Sequence, residues 1–452
     1  MSTDAASANA APPFLLARLR TMMFLEYAVR GLWLPLAPVF LTASVDEGGL
    51  GFSNQQMSYT LGIALALGAL TSPFVAGQVA DRWFATQRFM GILLLLGGIV
   101  KFVTAYQTSY EVWLALSILY AVLFMPTLGL SNSLAMSHLT DAKRQFPGVR
   151  VWGTIGWIAV SWLFPMLWLR SNVTYQWLPP FFSGDPVPQI AGRMLDSVKV
   201  AGVVAIAYGL FSWFVLPHTP PKREVKELAL LRAVKVFSRG SLLILAVATL
   251  VVSAVHFLYF FQTAKFLRAI GLDEAYITPT MSIGQFAEIG MMAALGLLLK
   301  QLGFRRVLLI GAVCYALRYL IFGLHEYLPL EVIVASQALH GPCFACFYAG
   351  SFIYVDRLSP TDVRHSAQTI FALVCFGIGP LISSQLNVAL GTAFRVSPEA
   401  GAPIDYALFW FVAGGIGLAG VAVLAALFKD ESPADDEALI AAAHTDQPEG
   451  EA

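Results

Sequence analysis

Arg150, Thr154 and Trp157 stand at i, i+4 and i+7, on one face of a helix. A guanidinium, a hydroxyl and an indole offer donors for hydroxyl or carbonyl oxygens and a flat ring to stack on another ring. An arginine in hydrocarbon costs about 2.5–3.5 kcal/mol on insertion scales, so this face is expected to look into protein or a wet cavity. The competing reading makes Arg150 an interfacial anchor and Trp157 a packing residue. Gln285 and Glu288 share a face at i and i+3. An amide beside a carboxyl suits the vicinal hydroxyls of a sugar, and a carboxyl in an apolar segment can exchange a proton. The alternative for Glu288 is a structural ion pair, for example with Arg318. His340 and Phe344 are spaced i and i+4, and His256, Tyr259 and Gln262 follow at i, i+3 and i+6. All are candidate binding groups, and for His256, Tyr259 and Gln262 the alternative is satisfied interior polar groups. Glu26 and Arg30 have the i, i+4 spacing of an intrahelical ion pair. Arg30 either pairs with Glu26 or turns a cavity toward a more anionic solute. Glu288, Glu26 and His256 are the candidates for carrying a proton.

Other chemistries lack their residues. No G-x-x-x-x-G-K-[ST] loop, G-x-S-x-G elbow, H-E-x-x-H pair or clustered metal set occurs. An enzyme, an ATP-driven pump, a cofactor and a metal site are therefore not expected. Cys343-x-x-Cys346 falls in an apolar stretch and reads as small packing residues, and four cysteines make no disulfide framework.

The elements that must position these groups follow from composition. The chain is 57% hydrophobic and 12% charged, against about 25% charged in a soluble domain. That charge cannot wet the surface of a globular protein of 452 residues, which excludes a soluble enzyme. The formal net charge of +0 supplies no field for nucleic acid. Apolar segments fall at 15–43, 56–80, 89–107, 110–139, 149–170 and 196–217, then at 241–268, 277–301, 305–323, 329–357, 364–395 and 404–428. A span needs about 20 apolar residues, so the expectation is an all-α membrane protein of twelve transmembrane helices. The expected organisation is an N-terminal tail 1–14, a six-helix bundle 15–217, a polar cytoplasmic linker 218–240, a second bundle 241–428 and a disordered tail 429–452. Placing the N-terminus in the cytoplasm puts Arg88, Lys143, Arg144, Lys222, Arg223, Arg305, Arg306 and Arg364 on that side, as the positive-inside rule requires. Both termini are then cytoplasmic.

The halves echo each other. Gly77-Gln-Val-Ala-Asp81-Arg82 with Arg88 follows the second segment, and Gly296 to Lys300 with Arg305-Arg306 follows the eighth. Arg150 to Trp157 opens the fifth segment and Arg364 to Phe371 opens the eleventh. Secondary transporters are built from such repeats, with substrate bound near midplane.

A six-plus-six chain of this kind resembles the major facilitator superfamily, and the Gly77–Arg88 stretch looks like its signature loop. That resemblance implies a gating latch at Gly77, Asp81, Arg82 and Arg88. Within the superfamily, the stretches Met125-Pro-Thr-Leu-Gly-Leu-Ser-Asn132 and Phe146-Pro-Gly-Val-Arg-Val-Trp-Gly-Thr-Ile-Gly-Trp157 resemble the bacterial nucleoside–proton symporters. Gly284-Gln-Phe-Ala-Glu288, Leu339-His-Gly-Pro-Cys-Phe344 and Ile353-Tyr-Val-Asp356 carry the likeness onward, so that it spans about residues 18 to 428. The resemblance implies a nucleoside site lined by Arg150, Thr154, Trp157, Gln285, Glu288 and Phe344. It also implies nucleoside import by proton symport, in the inner membrane of a bacterium, by a monomer whose partners are nucleoside, proton and lipid bilayer. The family's usual aspartate after Phe344 is Ala345 here. That departure keeps open a uniporter, or a carrier for a sugar or nucleoside derivative. A non-transporting receptor with a carrier fold is the alternative from another class.

Overall fold

The computed structural model describes residues 14–73, 75, 84–178, 181–220, 234–237, 240–360, 363–397, 399 and 402–431. Within a bilayer only internal hydrogen bonds can satisfy the backbone, so long apolar segments become helices. Among the described residues ten helices are long and apolar enough to cross a membrane.

Helix α1 runs Leu15–Thr42, interrupted at 34–36, where Pro35 has no N–H to give the ladder. Helices α2 (Asn54–Pro73), α3 (Thr86–Thr104), α4 (Tyr110–His138), α5 (Ala142–Trp168) and α6 (Ile190–Phe214) follow. An antiparallel hairpin, β1 (Arg170–Tyr175) with β2 (Phe182–Pro186), interrupts the α5–α6 connection. The apolar pattern gave no sign of it, because its residues are mostly exposed. Helix α7 is Gly240–Ala269. The next helical run, Ile277–Gly323, breaks at Gly303, whose φ of 74° is open to glycine and strained for other residues. Its limbs are α8 (277–302) and α9 (304–323). Helices α10 (Leu330–Leu358), α11 (Arg364–Ala393) and α12 (Tyr406–Leu427) complete the chain. α10 and α11 each contain a π-helical stretch, Cys343–Ala349 and Val374–Ile378.

By its internal contacts the chain forms two compact units. The first comprises 1–226, 257–285 and 380–404, and the second comprises 227–256, 286–379 and 405–452. The boundary thus runs through α7, α8 and α11. In the first unit, α3 and α6 cross backbone to backbone. A Cβ on Gly91 would lie 3.0 Å from the Gly209 carbonyl, and one on Gly98 would lie 2.8 Å from the Gly202 carbonyl. Small residues allow such approach where lipid supplies no hydrophobic drive for helix association.

The core of the second unit is built from Leu245, Val252, Leu308, Tyr315, Phe347, Phe371 and Leu424. Cys343, Cys346 and Cys375 are buried free thiols, in keeping with the packing reading. The tail expected from 429 is held through residue 431. The Glu431 amide donates to the Tyr354 hydroxyl at 3.0 Å, and Ser241 donates to the Glu431 carboxylate at 2.8 Å.

Candidate functional site

In the first unit the candidate face is built where α1 meets α5. Gly156 lets the α5 backbone touch α1 at Phe24, and a Cβ on Gly31 would lie 3.2 Å from the Trp157 backbone. Arg150 donates from Nη2 to the Tyr27 hydroxyl at 2.5 Å, and its guanidinium carbon lies 4.1 Å from the Tyr27 ring centroid. Gly153 makes room for this pair, since a Cβ there would meet both side chains. Arg150 is half-buried on an aromatic ring inside the unit, with Thr154 and Trp157 half-buried on the same face. Tyr27 was not foreseen, because nothing in the spacing links it to a residue more than 120 positions away.

Glu26 is fully buried on α1. Its carboxylate accepts from Thr127 of α4 at 2.8 Å and from Tyr208 of α6 at 3.0 Å. The intrahelical ion pair suggested by spacing does not form. Arg30 makes no side-chain hydrogen bond or ion pair among the described residues. The sequence also gave no role to Lys101 of α3, which is 1% exposed. Its Nζ lies 3.0 Å from the Trp33 ring centroid and 4.6 Å from that of Tyr120, and it has no hydrogen-bond partner. A lone lysine in an apolar segment was the available signal.

Gln262 joins three helices. Its amide donates to Asn54 Oδ1 of α2 at 2.8 Å and to Asn387 Oδ1 of α11 at 2.9 Å. Asn387 in turn donates to Ser58 at 2.7 Å. Around this cluster Arg268 pairs with Glu47 at 2.8 Å and Glu274 at 3.1 Å, while Arg170 pairs with Asp273. Tyr259 is buried with its ring edge-on to Phe260. Gln285, also of the first unit, is buried, and its Oε1 has no hydrogen-bond partner. A buried acceptor of that kind carries a desolvation cost that a bound donor removes.

The second unit holds the other candidates. Arg318 of α9 is fully buried and donates to His340 Nδ1 at 3.0 Å. The His256 ring lies parallel to that of His340 at 5.8 Å, and Tyr315 meets His256 Nδ1 at 3.0 Å. Phe344 continues the ladder, 6.3 Å from His340 and 5.8 Å from Tyr348. Helices α8 and α10 cross where a Cβ on Gly341 would meet Ala287. Glu288 and His340 each adjoin that crossing, and Glu288 is half-buried. Ala345 is fully buried, so a packed methyl group occupies the usual aspartate position. Of the expected latch, Gly77, Asp81 and Arg82 lie outside the described residues. Arg88 is exposed, with its guanidinium 5.8 Å from the Trp213 ring.

Two clusters of polar and aromatic groups thus lie inside apolar helices, one in each unit. The profile of the family described as "Nucleoside H+ symporter" matches residues 15–433. The chain belongs to that family. YegT of Escherichia coli (strain K12) is 30% identical over 92% of this chain and 94% of its own. The nucleoside permease NupG of the same organism is 23% identical over 91% and 95%. The crystal structure of NupG superimposes with a TM-score of 0.77 over 92% of this chain and 100% of NupG, at 21% identity. The D-xylose–proton symporter does so at 0.69 and 13% identity, a likeness of fold.

Proposed function

We infer that this protein imports nucleosides by proton symport through alternating access in a bacterial inner membrane. The family match over residues 15–433 carries the reading. The geometry agrees with it: donors and rings on Arg150, Thr154 and Trp157, an unmet acceptor on Gln285, and the Glu288–His340–Phe344 neighbourhood at the α8–α10 crossing. In this reading Arg150 and Gln285 hold hydroxyls or base carbonyls, Trp157 and Phe344 stack on the base, and Glu288 binds the sugar. His340, His256, Tyr259 and Gln262 shape the remainder of the site.

The twelve-span reading treats the limbs of the 50-residue run Glu274–Gly323 as two crossings. Straight, that run would measure about 75 Å, against a hydrocarbon core of about 30 Å. Asn54–Pro73 is added as a further span. The two six-helix bundles, 15–217 and 241–428, then rock about a shared site, with both termini cytoplasmic. Glu288, Glu26 and His256 are the proton carriers we assign.

The test is flux of labelled uridine and adenosine into proteoliposomes under an inward proton gradient. One proton crossing about 100 mV releases about 2.3 kcal/mol, enough for roughly 50-fold accumulation. Accumulation that collapses with a protonophore, and is absent in Glu288→Gln, is expected. Uptake indifferent to the protonophore rejects symport, and no uptake of any nucleoside rejects the substrate.

A further inference from the structure

Inside the first unit a cavity of about 30 Å³ lies among α1, α2 and α4, lined by Arg30, Trp33, Thr60, Ser117, Tyr120 and apolar neighbours. A water needs about 10–15 Å³ measured this way, so the space suits two waters or one carboxylate-sized group. Three polar atoms on its lining residues are buried without a hydrogen-bond partner: Trp33 Nε1, Thr60 Oγ1 and the Tyr120 hydroxyl. All three can donate. Arg30, half-buried at the same wall, adds a guanidinium that makes no ion pair among the described residues. Behind Trp33 and Tyr120 the Lys101 Nζ sits on their rings. No carboxylate lines the cavity, and the nearby Glu26 is held by Thr127 and Tyr208. A pocket whose unmet groups can all donate, with a guanidinium at its wall inside a membrane-spanning unit, is complementary to negative charge, because an uncompensated cation there is costly.

We propose that Arg30, Trp33, Thr60 and Tyr120 form a subsite for a small anionic group, and that this subsite selects nucleosides whose base is ionised. The second clause rests on the nucleoside reading above. Arg30 lies one helical turn beyond Tyr27, the seat of Arg150, and Trp157 packs beside Gly31. The subsite therefore adjoins the face proposed to hold the base.

Two measurements test this separately. In the first, thermal unfolding of the purified protein is followed with acetate or its neutral isostere acetamide, at ionic strength held constant with gluconate, which is too bulky for the cavity. Acetate alone is expected to raise Tm in the wild type and Arg30→Lys, and to lose that effect in Arg30→Gln. Thr60→Val is expected to weaken it, which keeps the test decisive if Arg30→Gln fails to fold. Equal responses to acetate and acetamide overturn the anion subsite. In the second, proteoliposomes take up xanthosine, whose base is largely ionised at neutral pH, in competition with inosine, whose base is not. A charged hydrogen bond supports a preference for xanthosine of about tenfold or more, which is expected to fall to near one in Arg30→Gln. An unchanged ratio beside a positive acetate response means that the pocket holds a free anion, and overturns the selectivity claim. No uptake of either nucleoside overturns the nucleoside reading, while the acetate response still judges the subsite.

Discussion

Arg318 donates to Nδ1 of His340 across 3.0 Å, and because a guanidinium never accepts, the imidazole proton in this arrangement must sit on Nε2. His340 therefore presents a donor to whatever lies on its other side. Replacing it by Gln keeps an acceptor for Arg318, so His340→Gln is expected to retain wild-type stability. His340→Leu removes the acceptor and should cost about 1.5–3 kcal/mol. Unfolding midpoints in detergent, compared for the two variants, decide it; equal losses reject the assignment.

Glu26 ties three helices through two hydroxyl donors. Its neutral isostere keeps an acceptor, so Glu26→Gln should fold normally. Glu26→Ala leaves Thr127 the Phe124 carbonyl at 2.6 Å as acceptor but strands the Tyr208 hydroxyl, and is expected to lose about 1–3 kcal/mol. The yield of monodisperse protein on size exclusion is the readout.

Arg150 rests on Tyr27 by both a hydrogen bond and a cation–ring contact. Tyr27→Phe keeps the ring and should weaken nucleoside binding about threefold to tenfold, whereas Arg150→Lys loses the planar fork and should weaken it more. Binding isotherms for uridine order the variants. A Lys variant that binds as well as wild type removes Arg150 from the site.

The Asn54–Gln262–Asn387–Ser58 cluster links the start of α2 to α7 and α11. Asn387→Ala removes partners from Gln262 and Ser58. If the cluster closes the outer end, a conformational equilibrium biased by about 1–3 kcal/mol shifts about 5–150-fold. A cysteine at position 58 should then react faster with a membrane-impermeant maleimide in the Asn387→Ala background. An unchanged rate assigns the cluster to static packing.

Gly98 and Gly202 face each other with no space for side chains. Gly202→Leu is expected to part α3 from α6 and abolish recovery of folded protein, and Gly129→Ala, where a Cβ meets nothing within 4 Å, should be tolerated. Fluorescence-detected size exclusion of the two variants makes the comparison.

The segments that become helices were legible because apolar runs of membrane length admit few other structures. Arg150, Thr154 and Trp157 were legible as one face because helical spacing fixes direction. The Tyr27 partner, the Tyr208 bond to Glu26 and the Lys101 seat were not, since each joins residues brought together only by packing. Glu26 and Arg30 show the limit of the spacing argument: i, i+4 proximity permits a pair, yet two hydroxyls on neighbouring helices hold the carboxylate instead. The β-hairpin escaped because its exposed residues carry no alternation.

The anchoring of Lys429 to Glu431 on Tyr354 and Ser241 bears on how the protein is handled. A fluorescent reporter or affinity tag spliced in directly after Phe428 would replace those contacts with foreign sequence and loosen the end of α12. Fusions that begin beyond Glu431 keep them.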